Sequence, residues 1–371
     1  MGGDDTRLAE CLLLTEQLAR SGAEALYRNG RNGNWGDVRS TAMAISVLRA
    51  LGEKARSHWI AVPAKWLNRK AVRISRPDGI EGRCWESEVW DSALAISALC
   101  RAGVGSYEHL KEDTNWLYQI WEFNRANWHD EPWETAFAVN ALLATKLPNW
   151  KPVLRAAAEW YINVHAEGRF INSVYTAFLT DMGRTYMLWP YWDREDAPFL
   201  ERLSAAAQSG LRHLLARDFS QGQLWSNEAW ANGYVLFAIC KSDGFVVGDN
   251  MHMIEACLRW FSDAKSYPTG WADIEDTCSA LEALAALYEK VRASLPSHTF
   301  PRLATIVQEG VRKPRISVPV VQMEDGDLIL VMTPRVRRWL YVALVIAGGI
   351  TTVAKLRDEI IRWFGALLGG A

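Results

Sequence analysis

Apolar residues along most of this chain recur every three or four positions, the spacing of one face of an α-helix, and they do so in a register that repeats. The stretches STAMAISVL (residues 40–48), DSALAISAL (91–99), ETAFAVNAL (134–142) and DTCSALEAL (276–284) align without gaps. YTAFLTDM from Tyr175 and ANGYVLFAI from Ala231 are weaker copies. With Thr41, Ser92, Thr135, Thr176, Asn232 and Thr277 taken as equivalent markers, successive copies lie 51, 43, 41, 56 and 45 residues apart. A period of about 47 residues with helical patterning predicts a pair of helices per repeat. The intervening segments TRLAECLLLTEQLARSGAEALY, VLRAAAEWYINVHA, FLERLSAAAQSGLRHLLAR and HMIEACLRWF supply first helices, since each keeps helical spacing without an internal proline. Six pairs then fill roughly residues 6–292. Six helical hairpins could stack as an open solenoid or close into a ring, and the second helices are rich in Ala, Ser and Thr, as expected where they crowd together on the inside of a closed ring. The expected fold is therefore all-α, an (α/α)6 toroid of six helical-hairpin repeats over residues 1–300.

The repeat stops after residue 292, and the pattern changes character. Residues 316–334 carry a weak alternation around Asp325-Gly326, a good hairpin turn, so a short β-hairpin is expected within a linker over 301–334. Pro319 restricts its first strand to an edge. Residues 339–354 are uncharged and follow Arg335, Arg337 and Arg338. A helix of that length is about 24 Å, short of the roughly 30 Å hydrocarbon core, yet flanking arginines and Trp339 suit it to span or embed. Leu356, Ile360, Trp363, Phe364 and Leu367 continue as an apolar helical stripe. The expectation is a C-terminal helical tail over 335–371 that associates with a membrane and holds the toroid on its cytoplasmic face.

Composition narrows the function. A formal charge of −2 gives no electrostatic reason to expect nucleic acid as partner. Cys11, Cys84, Cys100, Cys240, Cys257 and Cys278 are scattered with no C-x-x-C, which reads as reduced thiols. The opening MGGDDTRLAE lacks the basic and apolar regions of a secretory signal. Tryptophan is the outlier, with 19 residues in 371, which points to a repeated structural motif or an aromatic-lined cavity.

The segments GNWGDVRSTAMAISVLRAL, EVWDSALAISAL and GWADIEDTCSALEAL carry G-x-W and D-T-A-x-A-x-x-A-L signals that resemble the squalene-cyclase and prenyltransferase repeat superfamily, over residues 20–292. Asn29 stands where the longer repeat signature of that superfamily would have Gln. The resemblance implies a terpenoid cyclase-like toroid and an apolar, isoprenoid-like ligand. The metal-dependent D-D-x-x-D motif is absent, and D-R-E-D at residues 193–196 reads as the cap of a first helix. A zinc set on Asp276 and Cys278 would need a later His, and His298 lies outside the last repeat, so neither metal nor cofactor is expected.

Four residues before each marker stand Asp37, Glu88, Glu131, Asn172, Glu228 and Asp273, a column that reads as helix N-caps, with Pro132 following at N1. Asp276 would complete a capping box with Asp273. The column two before the marker is Arg39, Trp90, Trp133, Val174, Trp230 and Glu275, so the sixth repeat carries a carboxylate where Trp is the local norm. D-I-E-D-T also resembles the D-x-D-D-T motif of class II terpenoid cyclases, with Glu275 at the central proton-donating position and Asp273 and Asp276 beside it. Such an acid must be kept neutral by burial and neighbouring charge, and the carbocation it creates needs aromatic faces. Trp35, Trp85, Trp90, Trp128, Trp133, Trp225, Trp230 and Trp271 all fall in segments entering second helices, which in a toroid meet at one end as an aromatic cup. A single toroid leaves that cup open: either another chain closes it, such as a second copy in a homo-oligomer, or substrates are small, or no catalysis occurs. Three readings follow: a membrane-attached cyclase, a non-catalytic toroid that senses a lipid or docks a protein, and a glycan-processing enzyme built on paired carboxylates and Trp platforms.

Overall fold

In a computed structural model of the chain, each repeat copy begins a helix three residues before its marker. The structure describes residues 3–30, 33–75, 81–103, 107–121, 126–129, 131–166, 172–265, 270–295, 301–303, 305, 307–308, 320–324 and 327–331. The second helices of the six repeats are α2 (Val38–Ala50), α4 (Val89–Ala102), α6 (Pro132–Thr145), α8 (Ser173–Met187), α10 (Ala229–Lys241) and α12 (Ile274–Ser294). The first helices are α1 (Gly3–Asn29), α3 (His58–Lys70), α5 (Tyr107–Gln119), α7 (Lys151–Ala166), α9 (Ala197–Leu215) and α11 (Met251–Asp263). The chain is all-α in class, as its periodicity predicts.

The even-numbered helices are each other's neighbours in order. α2 packs on α4, α4 on α6, α6 on α8, α8 on α10, α10 on α12, and α12 returns to α2. The helices α1, α3, α5, α7 and α9 pack against members of this cycle, and α11 packs on α1. Small residues permit the crowding: Ala44, Ala95, Ala138 and Ala280 are fully buried, as are the markers Thr41, Ser92, Thr135, Asn232 and Thr277. The closest approach uses Gly233 on α10, where a Cβ would sit 2.6 Å from the Ser279 carbonyl carbon of α12. Only glycine lets those two backbones come together.

Two features depart from a pure helical repeat. Between α3 and α4, β1 (Val72–Ser75) pairs antiparallel with β2 (Glu81–Cys84), and β2 packs on α5. The helical body also runs past the last repeat, as part of a compact unit spanning Met1–Arg312. Leu303 and Val307 are buried in its core, and Tyr288 Oη donates to the Pro301 carbonyl at 3.0 Å.

The second unit spans Lys313–Ala371. Within it, β3 (Val320–Glu324) pairs antiparallel with β4 (Asp327–Val331), in a register that sets Glu324 opposite Asp327. The apolar segment at residues 339–354 and the rest of the tail lie outside the described residues. Among the described residues no helix is long and apolar enough to cross a membrane.

Candidate functional site

Where the first helix of a repeat hands over to the second, a single arrangement recurs. The indole Nε1 of Trp35 donates to the Leu26 carbonyl at 2.9 Å, Trp85 to Leu67 at 2.8 Å, and Trp128 to Leu117 at 2.8 Å. Trp225 donates to Leu214 at 3.1 Å and Trp271 to Phe261 at 3.0 Å. Every acceptor lies among the last four carbonyls of the preceding helix, which have no partner inside that helix. The backbone N–H of the same Trp donates to the marker side chain: Trp35 to Thr41, Trp85 to Ser92, Trp128 to Thr135 and Trp271 to Thr277, each at 3.0 Å. In the fifth repeat Ser226 N–H, one residue later, donates to Asn232 Oδ1 at 2.9 Å. These five rings are buried and staple one helix end to the next helix start. They do not line an aromatic cup, which corrects the expectation for Trp35, Trp85, Trp128, Trp225 and Trp271 as ligand-binding residues.

The acidic column holds the N-cap position in all six repeats, but only short side chains fold back to cap. Asp37 accepts from Ser40 N–H at 2.7 Å, Asn172 from Val174 N–H at 2.8 Å and Asp273 from Asp276 N–H at 2.8 Å. Glu88, Glu131 and Glu228 have extended cap backbones and no such bond, because the extra methylene carries the carboxylate past the helix end. Asp276 does not close a capping box. Its Oδ1 accepts from Trp230 N–H at 2.6 Å and so ties α12 to α10. Farther round, Asp193 caps the short turn leading into α9, as the D-R-E-D pattern predicts. Lys151 bridges Asp193 at 2.6 Å and also Asp196, which makes it a structural cation at the start of α7.

The column two before the marker does gather at one end of the cycle. The Arg39 guanidinium lies 3.9 Å over the Trp90 ring, pairs with Asp91 at 2.9 Å and reaches Glu275 at 3.8 Å. Trp90 meets Trp133 edge-on at 4.5 Å and stacks on Phe137 at 5.5 Å. Among the described residues, Nε1 of Trp90 and Nε1 of Trp133 are buried without a hydrogen-bond partner. Burial pushes the Glu275 carboxyl above its ordinary range, Arg39 pulls it back, and Asp273, Asp37 and Asp91 push it up again. Trp230, the third ring of this column, packs on Tyr234 at 6.3 Å.

One turn deeper the interior is filled. Phe137 of α6, Phe178 of α8 and Tyr234 of α10 touch one another at 5.3–5.7 Å between ring centres. α6 and α10 are not neighbours in the cycle, so this triad spans the space between them. Below it lies a belt that periodicity alone does not announce. Five residues after each marker stand Ser46, Ser97, Asn140, Asp181, Phe237 and Glu282, which all line a cavity of about 80 Å³. The cavity shares Ser46, Arg101, Phe237 and Glu282 with a larger one of about 580 Å³ at the C-terminal ends of the even-numbered helices. The larger cavity is charged, with Arg49, Arg101, Arg184, Lys241 and Lys290 against Asp243, Glu282 and Glu289. Burial and the neighbouring Glu282 push the half-buried Asp181 up to about 6, against Arg101, Lys241 and Arg184. The signal for this belt was present in the sequence as a polar column inside otherwise apolar helices.

All six cysteines are free, and among the described residues no group of His, Cys, Asp and Glu side chains converges to hold a metal ion. No family model matches this chain, and no curated protein matches it in sequence.

Proposed function

We propose that the chain is a ligand-binding (α/α)6 toroid, in which a small polar molecule occupies the central channel and reaches it from the C-terminal ends of the inner helices. The closed cycle of contacts from α2 to α12 and back supports the toroid. The observation that carries the binding reading is the axial order of the lining: aromatic rings fill the interior near the helix starts, and a polar belt opens into a charged cavity of about 580 Å³ near the helix ends. Hydroxyl, amide and carboxylate groups in that belt match a polar or polyhydroxylated body and oppose an apolar isoprenoid. Mass spectrometry of small molecules released on denaturing the purified protein tests this. Wild type is expected to release a polar compound that Ser97→Trp, which fills the belt, does not. Identical release from both proteins contradicts the reading.

Class II protonation by Glu275 is the second reading, favoured by the raised carboxyl and its three acidic neighbours. Against it stand the Arg39 cation at 3.8 Å and the rings of Trp90, Trp133 and Phe137 packed in contact beside it. A cyclase would lose all turnover of linear isoprenoids in Glu275→Gln, since an amide has no acidic proton to give. Membrane attachment through residues 335–371 belongs to the same proposal. The full chain should pellet with membranes while residues 1–312 stay soluble, and a full chain left in the high-speed supernatant overturns it.

A further inference from the structure

We infer that the wide cavity at the helix ends is an oxyanion site, in which Arg184 and Lys241 hold the phosphate or carboxylate group of the channel's ligand. This rests on the channel reading and names the chemistry of its ligand. The cavity presents five cations against three carboxylates, and most of these charges are already engaged. Arg101 pairs with Glu282 at 3.0 Å, and Glu289 pairs with Arg292 at 2.7 Å while also accepting from Leu303 N–H. Arg49 donates to the carbonyls of Arg101 and Glu53, and Lys290 donates to the Ser242 carbonyl at 3.0 Å. Those bonds answer the partial negative charge of the helix C-termini.

Arg184, Lys241 and the exposed Asp243 are left over, two cations to one carboxylate. The two cations come from the last turns of α8 and α10, which pack on each other, and both line the cavity. Among the described residues neither has a carboxylate within ion-pair distance. Lys241 lies 5.5 Å over the Phe237 ring, so its ammonium borders the belt as well as the cavity. Two half-buried cations facing one concave space favour an anion with several oxygens, which can take hydrogen bonds from both at once. The hydroxyl and amide groups of Ser46, Ser97 and Asn140 lie below, where the uncharged body of such a molecule would rest.

Isothermal titration of the full chain with inorganic pyrophosphate and with citrate tests the assignment, with trehalose as an uncharged probe. The expected result is saturable binding of one anion per chain, weakened about tenfold or more in Arg184→Gln and in Lys241→Gln. Arg184→Lys, which keeps the charge, should retain most of the affinity, and Lys65→Gln on the exposed side of α3 should bind as wild type. Circular dichroism melts of each variant establish that it folds. Failure of both anions to bind saturably overturns the inference, as does binding unaffected by the two Gln variants or weakened equally by Lys65→Gln. Ser97→Trp keeps this test separate from the channel reading. Loss of the co-purified compound in Ser97→Trp without any anion binding in wild type would retain the channel and remove the oxyanion site.

Discussion

The tryptophans divide into rings that fasten helices together and rings that face the interior, and a pair of Trp→Phe substitutions separates them. Trp85 is fully buried, and its Nε1 donates at 2.8 Å to Leu67 O, in the last turn of α3. In Trp85→Phe that carbonyl keeps its burial and loses its donor, a cost of about 1–3 kcal/mol. The space left by the smaller ring adds roughly 1 kcal/mol, so the total is about 2–4 kcal/mol. Trp133 is half-buried, and its Nε1 is a buried donor without a partner among the described residues. Trp133→Phe therefore loses ring volume and removes an unsatisfied N–H, and should cost about 1 kcal/mol or less. Urea denaturation followed by circular dichroism measures both, read as a shift in midpoint at constant slope. If the two variants destabilise to within about 0.5 kcal/mol of one another, the division into staples and interior rings is wrong.

Other substitutions probe the helix contacts and the belt. Gly233→Ala forces a methyl group against the Ser279 backbone and should cost about 1–3 kcal/mol or more in the same urea assay, far above a helix-propensity gain. Asp273→Ala should lose about 0.5–2 kcal/mol with its bond to Asp276 N–H, Asp273→Asn about a few tenths, and Glu131→Ala little, since Glu131 makes no capping bond. Asp181, raised to about 6 in the fold, binds its proton more tightly there than in the unfolded chain. Its ionisation consequently weakens the fold as pH rises from about 4 to about 6, by on the order of 1–3 kcal/mol. Melts of wild type across that window should show stability falling toward pH 6 from this group, and Asp181→Asn should flatten the slope and be more stable than wild type at pH 7.

How much of this was legible in the sequence depends on which periodicity carried it. The six second helices were readable because their small residues repeat in one register, and the structure begins a helix at each copy. The N-cap column was readable for the same reason, though the failure of Glu88, Glu131 and Glu228 to cap depends on side-chain length. The fate of the tryptophans was not readable. A ring just before a helix can turn toward the axis or toward the preceding helix end, and a distant carbonyl such as Leu67 decides which. The acidic triplet divides in a related way: Asp273 and Asp276 accept from Asp276 N–H and Trp230 N–H, leaving Glu275 facing Arg39. The polar belt at Ser46, Ser97, Asn140, Asp181 and Glu282 sits in the same aligned register, but its meaning emerges only when the folded helices bring that column together around one cavity. The β1–β2 pair interrupts the helical period, so a search for repeats passes over it.

A crystal structure of wild-type protein carrying its co-purified molecule tests the central claim most directly. Density for that molecule should lie among the even-numbered helices, with an anionic group at Arg184 and Lys241 and its body toward Asn140 and Asp181. Density instead at the opposite end, against Glu275 and between the indoles of Trp90, Trp133 and Trp230, would contradict the channel and return the chemistry to the acidic motif.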